Sequence, residues 1–254
     1  MIYELYKKFR LYGWRQFLRF AFIETRRKGK QFTRHSYSQS GEDLLLDKLT
    51  GNQAHGFYVD VGAYDPHRLS NTKRFYKRGW RGINVEPNTK RYEKFMRERT
   101  RDINVNLGIT DVSGTAPQKA MFYEFFPDTL STFSEHAAQE YRKKGHPLVR
   151  SMEVSVDTLA HILEQYAKNT PIDFLSTDTE GFDLTVLKSN DWNRFRPRVI
   201  CVESSDHADL IMNKDAPRTV REEDLFLDSV GYTKQYDNGL NSIYVRRDNN
   251  RNAQ

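Results

Sequence analysis

The chain has 254 residues and a net charge of +6, with 37% hydrophobic and 29% charged residues. This length suits a single large domain, and the 16 Phe and 14 Tyr residues supply material for a core, so a fully disordered chain is excluded. The single cysteine, Cys201, excludes an internal disulfide and a multi-cysteine zinc site, and the apolar runs are far shorter than the ~20 residues of a membrane-spanning helix.

Residues 1–35 are predicted to form a basic amphipathic helical arm. They contain ten Lys or Arg residues against Glu4 and Glu24, which gives this segment a net charge of +8; because the whole chain carries +6, the remainder carries −2. Apolar residues recur at helical spacing from Ile2 onwards. Basic side chains interleaved with aromatic ones suit docking of residues 1–30 on anionic lipid, on a protein partner or on a second copy of the chain. Packing of the arm against its own domain is the open alternative.

The location of the positive charge bears on partners and compartment. Because the excess belongs to the arm rather than to a face of the body, we expect no nucleic-acid partner. The N-terminal sequence shows no apolar core followed by a small-residue cleavage site, which predicts a cytoplasmic protein rather than a secreted one. Lipid binding by the arm would make it peripheral at the inner face of the membrane, and docking on a second copy would make a homo-oligomer.

Helical and strand-like segments alternate through residues 36–247, which we predict to be one domain. The predicted helices are 44–49, 71–77, 90–99, 135–144, 158–166, 183–188 and 222–230. The predicted strands are 57–61, 82–85, 103–107, 121–126, 152–156, 172–175, 198–202, 232–236 and 242–245. This alternation predicts a parallel sheet covered on both faces, and Asn238-Gly239 predicts a closing antiparallel hairpin. Residues 248–254 are predicted to be a disordered tail.

Acidic residues lie at the carboxyl ends of the first two predicted strands. Ligands of open parallel sheets bind at the carboxyl ends of the strands. Asp60 is followed by Gly62 and Ala63, where small residues allow close approach to the backbone. Glu86 comes 26 residues after Asp60, at about the spacing of the ribose-binding acid in dinucleotide folds. The full G-x-G-x-x-G pattern is absent, which argues against a nicotinamide dinucleotide.

Five motifs occur in order along the chain: SQSGED at 38–43, FYVDVGA at 57–63, SNT at 70–72, GWRGINVEPN at 79–88 and IDFLSTDTEGFD at 172–183. Together they resemble the motifs of the FkbM-type methyltransferases. The resemblance implies the α/β fold of class I (Rossmann-like) methyltransferases, with a mostly parallel seven-stranded sheet, helices on both faces and a C-terminal antiparallel hairpin. It also implies S-adenosylmethionine as cofactor and O-methyl transfer to a hydroxyl, often of a saccharide or glycan precursor.

The resemblance further implies which residues bind the cofactor. Asp60, Gly62 and Ala63 match the motif beside the methionine portion, and Glu86 matches the acid that binds the ribose. Other positions match residues that line the cofactor pocket or lie near the adenine: Gln39, Glu42, Asn71 and Thr72 for the pocket, and Asn106 for the adenine. The sequence departs from the family at Tyr64-Asp65-Pro66, where many members continue with Asn and a further Gly.

A third acidic strand end supplies the candidates for catalysis. A hydroxyl is a poor nucleophile at neutral pH, so transfer needs a base or a cation that stabilises the alkoxide. We predict Asp178 as the base, with Glu180, Glu203 and His207 as alternatives. Asp178 and Glu203 end neighbouring strands, so their carboxylates are predicted to converge on a site for Mg²⁺ or another divalent cation. A helix cap for Glu180 and an exposed loop position for His207 are the structural alternatives.

Two other functions stay open at this point. A nicotinamide-dependent oxidoreductase would share the sheet and the ribose-binding acid. A non-catalytic, cofactor-binding scaffold of a glycan assembly complex would use the arm for recruitment. Residues 122–144 interrupt the regular alternation, and we predict that they build the acceptor pocket or its lid.

Overall fold

The computed structural model describes residues 36–111, 118–203 and 220–247. Its strands are β1 (Phe57–Val61), β2 (Arg81–Val85), β3 (Ile103–Val105), β4 (Gly108–Ile109), β5 (Gln118–Phe125), β6 (Leu148–Asp157), β7 (Phe174–Thr177), β8 (Val199–Glu203), β9 (Tyr232–Asp237) and β10 (Asn241–Arg246). Its α-helices are α1 (Glu42–Leu49), α2 (Lys73–Arg78), α3 (Thr89–Glu98), α4 (Glu135–Lys143), α5 (Leu159–Ala167), α6 (Asp183–Lys188) and α7 (Glu222–Ser229). A short 3-10 helix covers Asp128–Leu130.

Seven of these strands form the central sheet, in the order β3-β2-β1-β7-β8-β10-β9. The first five strands of this order are parallel, and β10 runs antiparallel to both β8 and β9. The chain order reverses between β1 and β7, which are hydrogen-bonded neighbours. The carboxyl ends of β2, β1, β7 and β8 therefore meet at one edge, at the switch point where open α/β sheets bind ligands.

Side chains of the central strands alternate between two apolar cores. Val59 and Val61 of β1 belong to the core that α5, α6 and α7 cover, while Tyr58 belongs to the core that α1 and α2 cover. Successive side chains of a strand point to opposite faces, so these two cores show that both faces of the sheet are buried. Asp60 lies on the same face of β1 as Tyr58, and it is a buried acid at the carboxyl end of a core strand.

A second, three-stranded sheet has the order β4-β6-β5. Strand β5 pairs with β6 antiparallel over eight residue pairs, and β4 pairs with β6 parallel. In the chain this sheet, the 3-10 helix and α4 lie between β3 and α5. We call residues 118–157 the insertion. The sequence predicted two of its strands and its helix, but not their separation from the central sheet, because strand partners are set by tertiary contacts rather than by local pattern.

The predicted fold class is confirmed by the seven-stranded sheet, the helices on both faces and the C-terminal hairpin. The hairpin turn has Gly239 at φ 83°. The predicted arm at residues 1–35, the predicted tail at 248–254 and His207 lie outside the described residues. Among the residues that are described, no helix is long and apolar enough to cross a membrane.

Candidate functional site

A deep cavity opens at the carboxyl edge of the central sheet, against the insertion. The space inside it is about 1030 Å³ when the open solvent at its mouth is included. The strand ends contribute Asp60, Gly62, Glu86, Asp178 and Glu203 to its wall. From the insertion come Phe122, Asp128, Thr129, Ser131 and Phe133.

Glu86 is fixed just beyond the end of β2. Its Oε2 accepts a hydrogen bond from the backbone N–H of Tyr64 at 2.8 Å, and its Oε1 accepts one from the backbone N–H of Asn88 at 2.8 Å. Asn88 is also the N-cap of α3, so the helix start and the carboxylate are positioned together. Each carboxylate oxygen keeps a further lone pair for a ligand hydroxyl.

Tyr64 and Arg91 close the wall beside Glu86. Tyr64 has a φ of 58°, and the guanidinium carbon of Arg91 lies 3.9 Å from the centroid of its ring. Arg91 also pairs with Asp128 of the 3-10 helix at 2.7 Å. The residues that depart from the family motif therefore make an ordered turn, and Arg91 ties it to the insertion.

Asp60 is held at the end of β1 by Thr72, whose hydroxyl donates to Oδ2 at 2.9 Å. Two residues later, Gly62 has a φ of 76°, and a Cβ at this position would lie 2.0 Å from the backbone oxygen of Asp178. The close approach that the sequence predicts at Gly62 is thus made by the loop after β7. The first and third acidic strand ends are brought into direct contact by this glycine.

Asp178, Glu180 and Glu203 meet at the other end of the cavity. One carboxylate oxygen from each lies within 4.8 Å of the others. Glu203 is the buried last residue of β8, and its Oε2 accepts the backbone N–H of Glu180 at 2.9 Å. Asp178 is exposed to the cavity, whereas Glu180 is half-buried. The predicted convergence of Asp178 with Glu203 is present, and Glu180 joins them.

The protein around the cavity shifts the pKa values of these acids. Burial raises the pKa of Asp60 to about 6 and that of Glu86 to about 7, against the opposing effects of Thr72 and Arg91 respectively. Although Asp178 faces the open space of the cavity, protein atoms surround its carboxyl group, and this desolvation, followed by repulsion from Asp183, raises its pKa. Burial, followed by repulsion from Asp178, raises the pKa of Glu203 well above its usual value. The hydrogen bond between these two carboxyl groups lowers the pKa of Asp178 and raises the pKa of Glu203.

Acids dominate the lining of the cavity. Among the described residues, six acids line it and one basic residue, Arg91, does so: the acids are Asp60, Glu86, Asp128, Asp178, Glu180 and Glu203. Arg91 is already paired with Asp128. This balance suits a ligand with positive charge and hydroxyl groups, and it disfavours the pyrophosphate of a dinucleotide.

Comparison with known proteins decides between a methyltransferase and a nicotinamide-dependent oxidoreductase. The family model for the methyltransferase FkbM domain matches residues 60–233, which is more than half of the chain. The chain belongs to the FkbM methyltransferase family. This membership makes it an S-adenosylmethionine-dependent methyltransferase with the class I fold, and the nicotinamide alternative is wrong.

Solved structures of other methyltransferases have a distant likeness to this FkbM protein. The O-methyltransferase TomG from Streptomyces achromogenes, in complex with SAM, is 10% identical with a TM-score of 0.41, over 83% of this chain and 81% of that chain. An O-methyltransferase from Bacillus cereus, in complex with SAH, is 11% identical with a TM-score of 0.40, over 88% of this chain and 89% of that chain. No curated protein sequence gives a match.

The residues present fit S-adenosylmethionine. The ribose diol needs an anionic acceptor at the end of β2, and Glu86 is buried there with oriented oxygens. The sulfonium and ammonium groups need nearby negative charge, which the acidic lining supplies. Of the predicted cofactor-binding residues, six line the cavity: Gln39, Asp60, Gly62, Ala63, Asn71 and Glu86.

Three predicted cofactor-binding residues do not line the cavity. Each makes hydrogen bonds that position neighbouring residues or join neighbouring elements. Thr72 orients Asp60. Glu42 is buried, and its Oε1 accepts from the side-chain amides of Asn238 and Asn241 at 3.1 and 3.0 Å, which joins α1 to the C-terminal hairpin. The Asn106 amide donates to the backbone oxygen of Glu86 at 2.9 Å. Their roles toward the cofactor stay predictions.

Sequence reasoning missed the residues that join the central sheet to the insertion. In the sequence, Arg91 is one of many charged residues of a predicted amphipathic helix, and Asp128 lies in a segment without a regular pattern. One signal in the sequence points to Arg91. It lies three residues after Asn88, which is the N-cap of α3 and accepts a hydrogen bond from the backbone N–H of Arg91. Arg91 is therefore in the first turn of a helix that begins beside Glu86.

Proposed function

We propose that this methyltransferase transfers the methyl group to a hydroxyl of a saccharide or glycan precursor. The observation that carries the proposal is the meeting of Asp178, Glu180 and Glu203 in the same cavity as Asp60 and Glu86. Phe122 and Phe133 of the insertion line this cavity, with ring centroids 4.9 Å apart. Aromatic faces pack against the C–H surface of a sugar ring, while carboxylates accept hydrogen bonds from its hydroxyls.

Each end of the cavity has its own task in this proposal. When bound, S-adenosylmethionine supplies an electrophilic methyl group on a sulfonium. Glu86 binds the ribose hydroxyls and Asp60 the methionine portion. Asp178 accepts the proton of the attacking hydroxyl, and a pKa raised above that of an ordinary Asp suits a base that works near neutral pH. Glu203 donates a hydrogen bond to Asp178, and Glu180 accepts one from a neighbouring hydroxyl of the acceptor.

A divalent cation held by Asp178 and Glu203 is the second candidate for activating the hydroxyl. It is favoured by the three carboxylate oxygens within 4.8 Å of one another, since oxygen ligands suit Mg²⁺. Binding of this cation would require Glu203 to release its proton, because carboxyl groups bind metal ions in their ionised form.

One assay separates these possibilities. The protein is incubated with labelled S-adenosylmethionine and a panel of neutral saccharides, amino sugars, sugar nucleotides and catechols, with and without prior dialysis against a chelator. We expect transfer to a saccharide hydroxyl that survives chelation, and a loss of at least about a hundredfold in Asp178→Asn, because general base catalysis contributes roughly 10²–10⁴-fold.

Other outcomes of this assay have distinct meanings. Activity that disappears on chelation and returns with Mg²⁺ supports the cation in place of the free base. Transfer confined to catechols contradicts the saccharide acceptor. Binding of S-adenosylhomocysteine without transfer to any member of the panel supports the scaffold alternative.

A further inference from the structure

Glu180 adopts a backbone conformation that its own residue type disfavours. Its φ is 52°, in the left-handed region, and the following Gly181 has a φ of 86°. A non-glycine residue in this region carries a steric cost and persists where the surrounding structure holds it there. The loop between β7 and α6 therefore depends on contacts that fix Glu180.

Three described contacts fix Glu180, and two of them come from the insertion. The Glu180 backbone N–H donates to Glu203 at 2.9 Å. The Thr132 hydroxyl donates to the Glu180 backbone oxygen at 2.9 Å. The Tyr141 hydroxyl donates to the Glu180 carboxylate, at Oε2, at 3.1 Å. Backbone and side chain are thus both attached to residues that are distant in sequence.

Tyr141, on α4, packs against two other aromatic side chains. Its ring packs edge-on against Phe125, with centroids 5.6 Å apart, and against His146, with centroids 6.0 Å apart. A phenolic hydroxyl carries its proton at neutral pH, so the Tyr141 hydroxyl is a hydrogen-bond donor to Glu180. A rigid aromatic ring with a fixed donor is suited to orienting a carboxylate.

We infer that Tyr141 is a positioning residue, which holds the Glu180 carboxylate against Asp178 and thereby links the insertion to the reacting hydroxyl. Glu180 touches the acceptor and Tyr141 acts through it. This inference rests on the proposed function, because it requires Glu180 to accept a hydrogen bond from the acceptor hydroxyl next to the one that reacts. The sequence around Tyr141 does not predict this role, because its partner Glu180 lies in a loop 39 residues later in the chain.

A double-mutant cycle tests this role. Tyr141→Phe, Glu180→Gln and the double variant are compared in steady-state methyl transfer to the best acceptor, in calorimetric affinity for S-adenosylhomocysteine and in thermal unfolding. Tyr141→Phe keeps the ring contacts, so we expect a folded protein with about a tenfold lower kcat/KM for the acceptor, as for loss of one hydrogen bond to a charged group. Its affinity for S-adenosylhomocysteine is expected to stay within about twofold of the wild type.

The decisive comparison is made in the Glu180→Gln background. If Tyr141 acts through Glu180, the double variant has the activity of Glu180→Gln alone. The matched control is Tyr166→Phe on α5, outside the insertion and the cavity lining; its hydroxyl makes no hydrogen bond with a described residue, and the variant should keep wild-type activity.

The results that overturn the inference are distinct from failure of the proposed function. An active wild type with an equally active Tyr141→Phe, or with effects that multiply in the double variant, contradicts the role of Tyr141 and leaves the proposed function intact. A wild type that binds S-adenosylhomocysteine but methylates no hydroxyl contradicts both.

Discussion

Asp60 and Glu86 are acids whose burial costs free energy when they ionise. Their ordinary pKa values of 3.8 and 4.5 are raised to about 6 and about 7 in the folded protein. A carboxyl group whose pKa is raised on folding stabilises the fold while it is protonated in both states, and this contribution is lost as the pH rises through the folded value. The ligand-free site therefore works against the stability of the protein at neutral pH, as is common for functional sites.

The pH dependence of unfolding tests this assignment. We expect the midpoint of thermal unfolding of the ligand-free protein to fall as the pH is raised from about 4 to about 7, between the ordinary and the folded pKa values of these acids. Glu86→Gln removes one of the acids whose pKa is raised, so the fall in the unfolding midpoint should be smaller. Glu93→Gln on α3 removes an exposed acid and should keep the wild-type slope. If the unfolding midpoint of Glu86→Gln changes with pH as steeply as that of the wild type, the raised pKa of Glu86 is contradicted.

The acidic strand ends become a site because the loops after β1 and β7 touch. Gly62 makes this contact possible, since its missing Cβ leaves room for the backbone oxygen of Asp178. The insertion closes the other side, through the pair of Arg91 with Asp128 and the contacts of Glu180. Cofactor end and acceptor end are thus parts of one connected wall.

Gly62→Ala tests the contact between the two loops. The added Cβ meets backbone rather than a movable side chain, so both strain and collision oppose it. We expect a free energy of unfolding at least about 2 kcal/mol lower than in the wild type, with loss of S-adenosylhomocysteine binding. Gly51→Ala is the matched control: its φ of 78° is nearly the same, but a Cβ there meets nothing within 4 Å. Chemical denaturation of both variants measures the difference, and equal losses would contradict the collision.

The sequence was sufficient for the central sheet and insufficient for the wall around the cavity. Alternating apolar strands and helices, and the acids that end β1, β2 and β7, are local patterns, so they predicted the fold and one rim of the site. The second sheet, the pair of Arg91 with Asp128 and the bond of Tyr141 to Glu180 join residues tens of positions apart. Such contacts leave no periodicity in the sequence, because they depend on how elements pack.

Calorimetric titration with S-adenosylhomocysteine tests most directly whether this cavity holds the methyl donor. A ligand that binds the native state also raises the unfolding midpoint by mass action. We predict binding at one site per chain, with affinity reduced about tenfold or more in Glu86→Gln, since each hydrogen bond to a charged group contributes roughly 1.5–3 kcal/mol. The Glu93→Gln control should bind as the wild type does. Absence of binding by the wild type, or equal affinity in Glu86→Gln, would contradict the account.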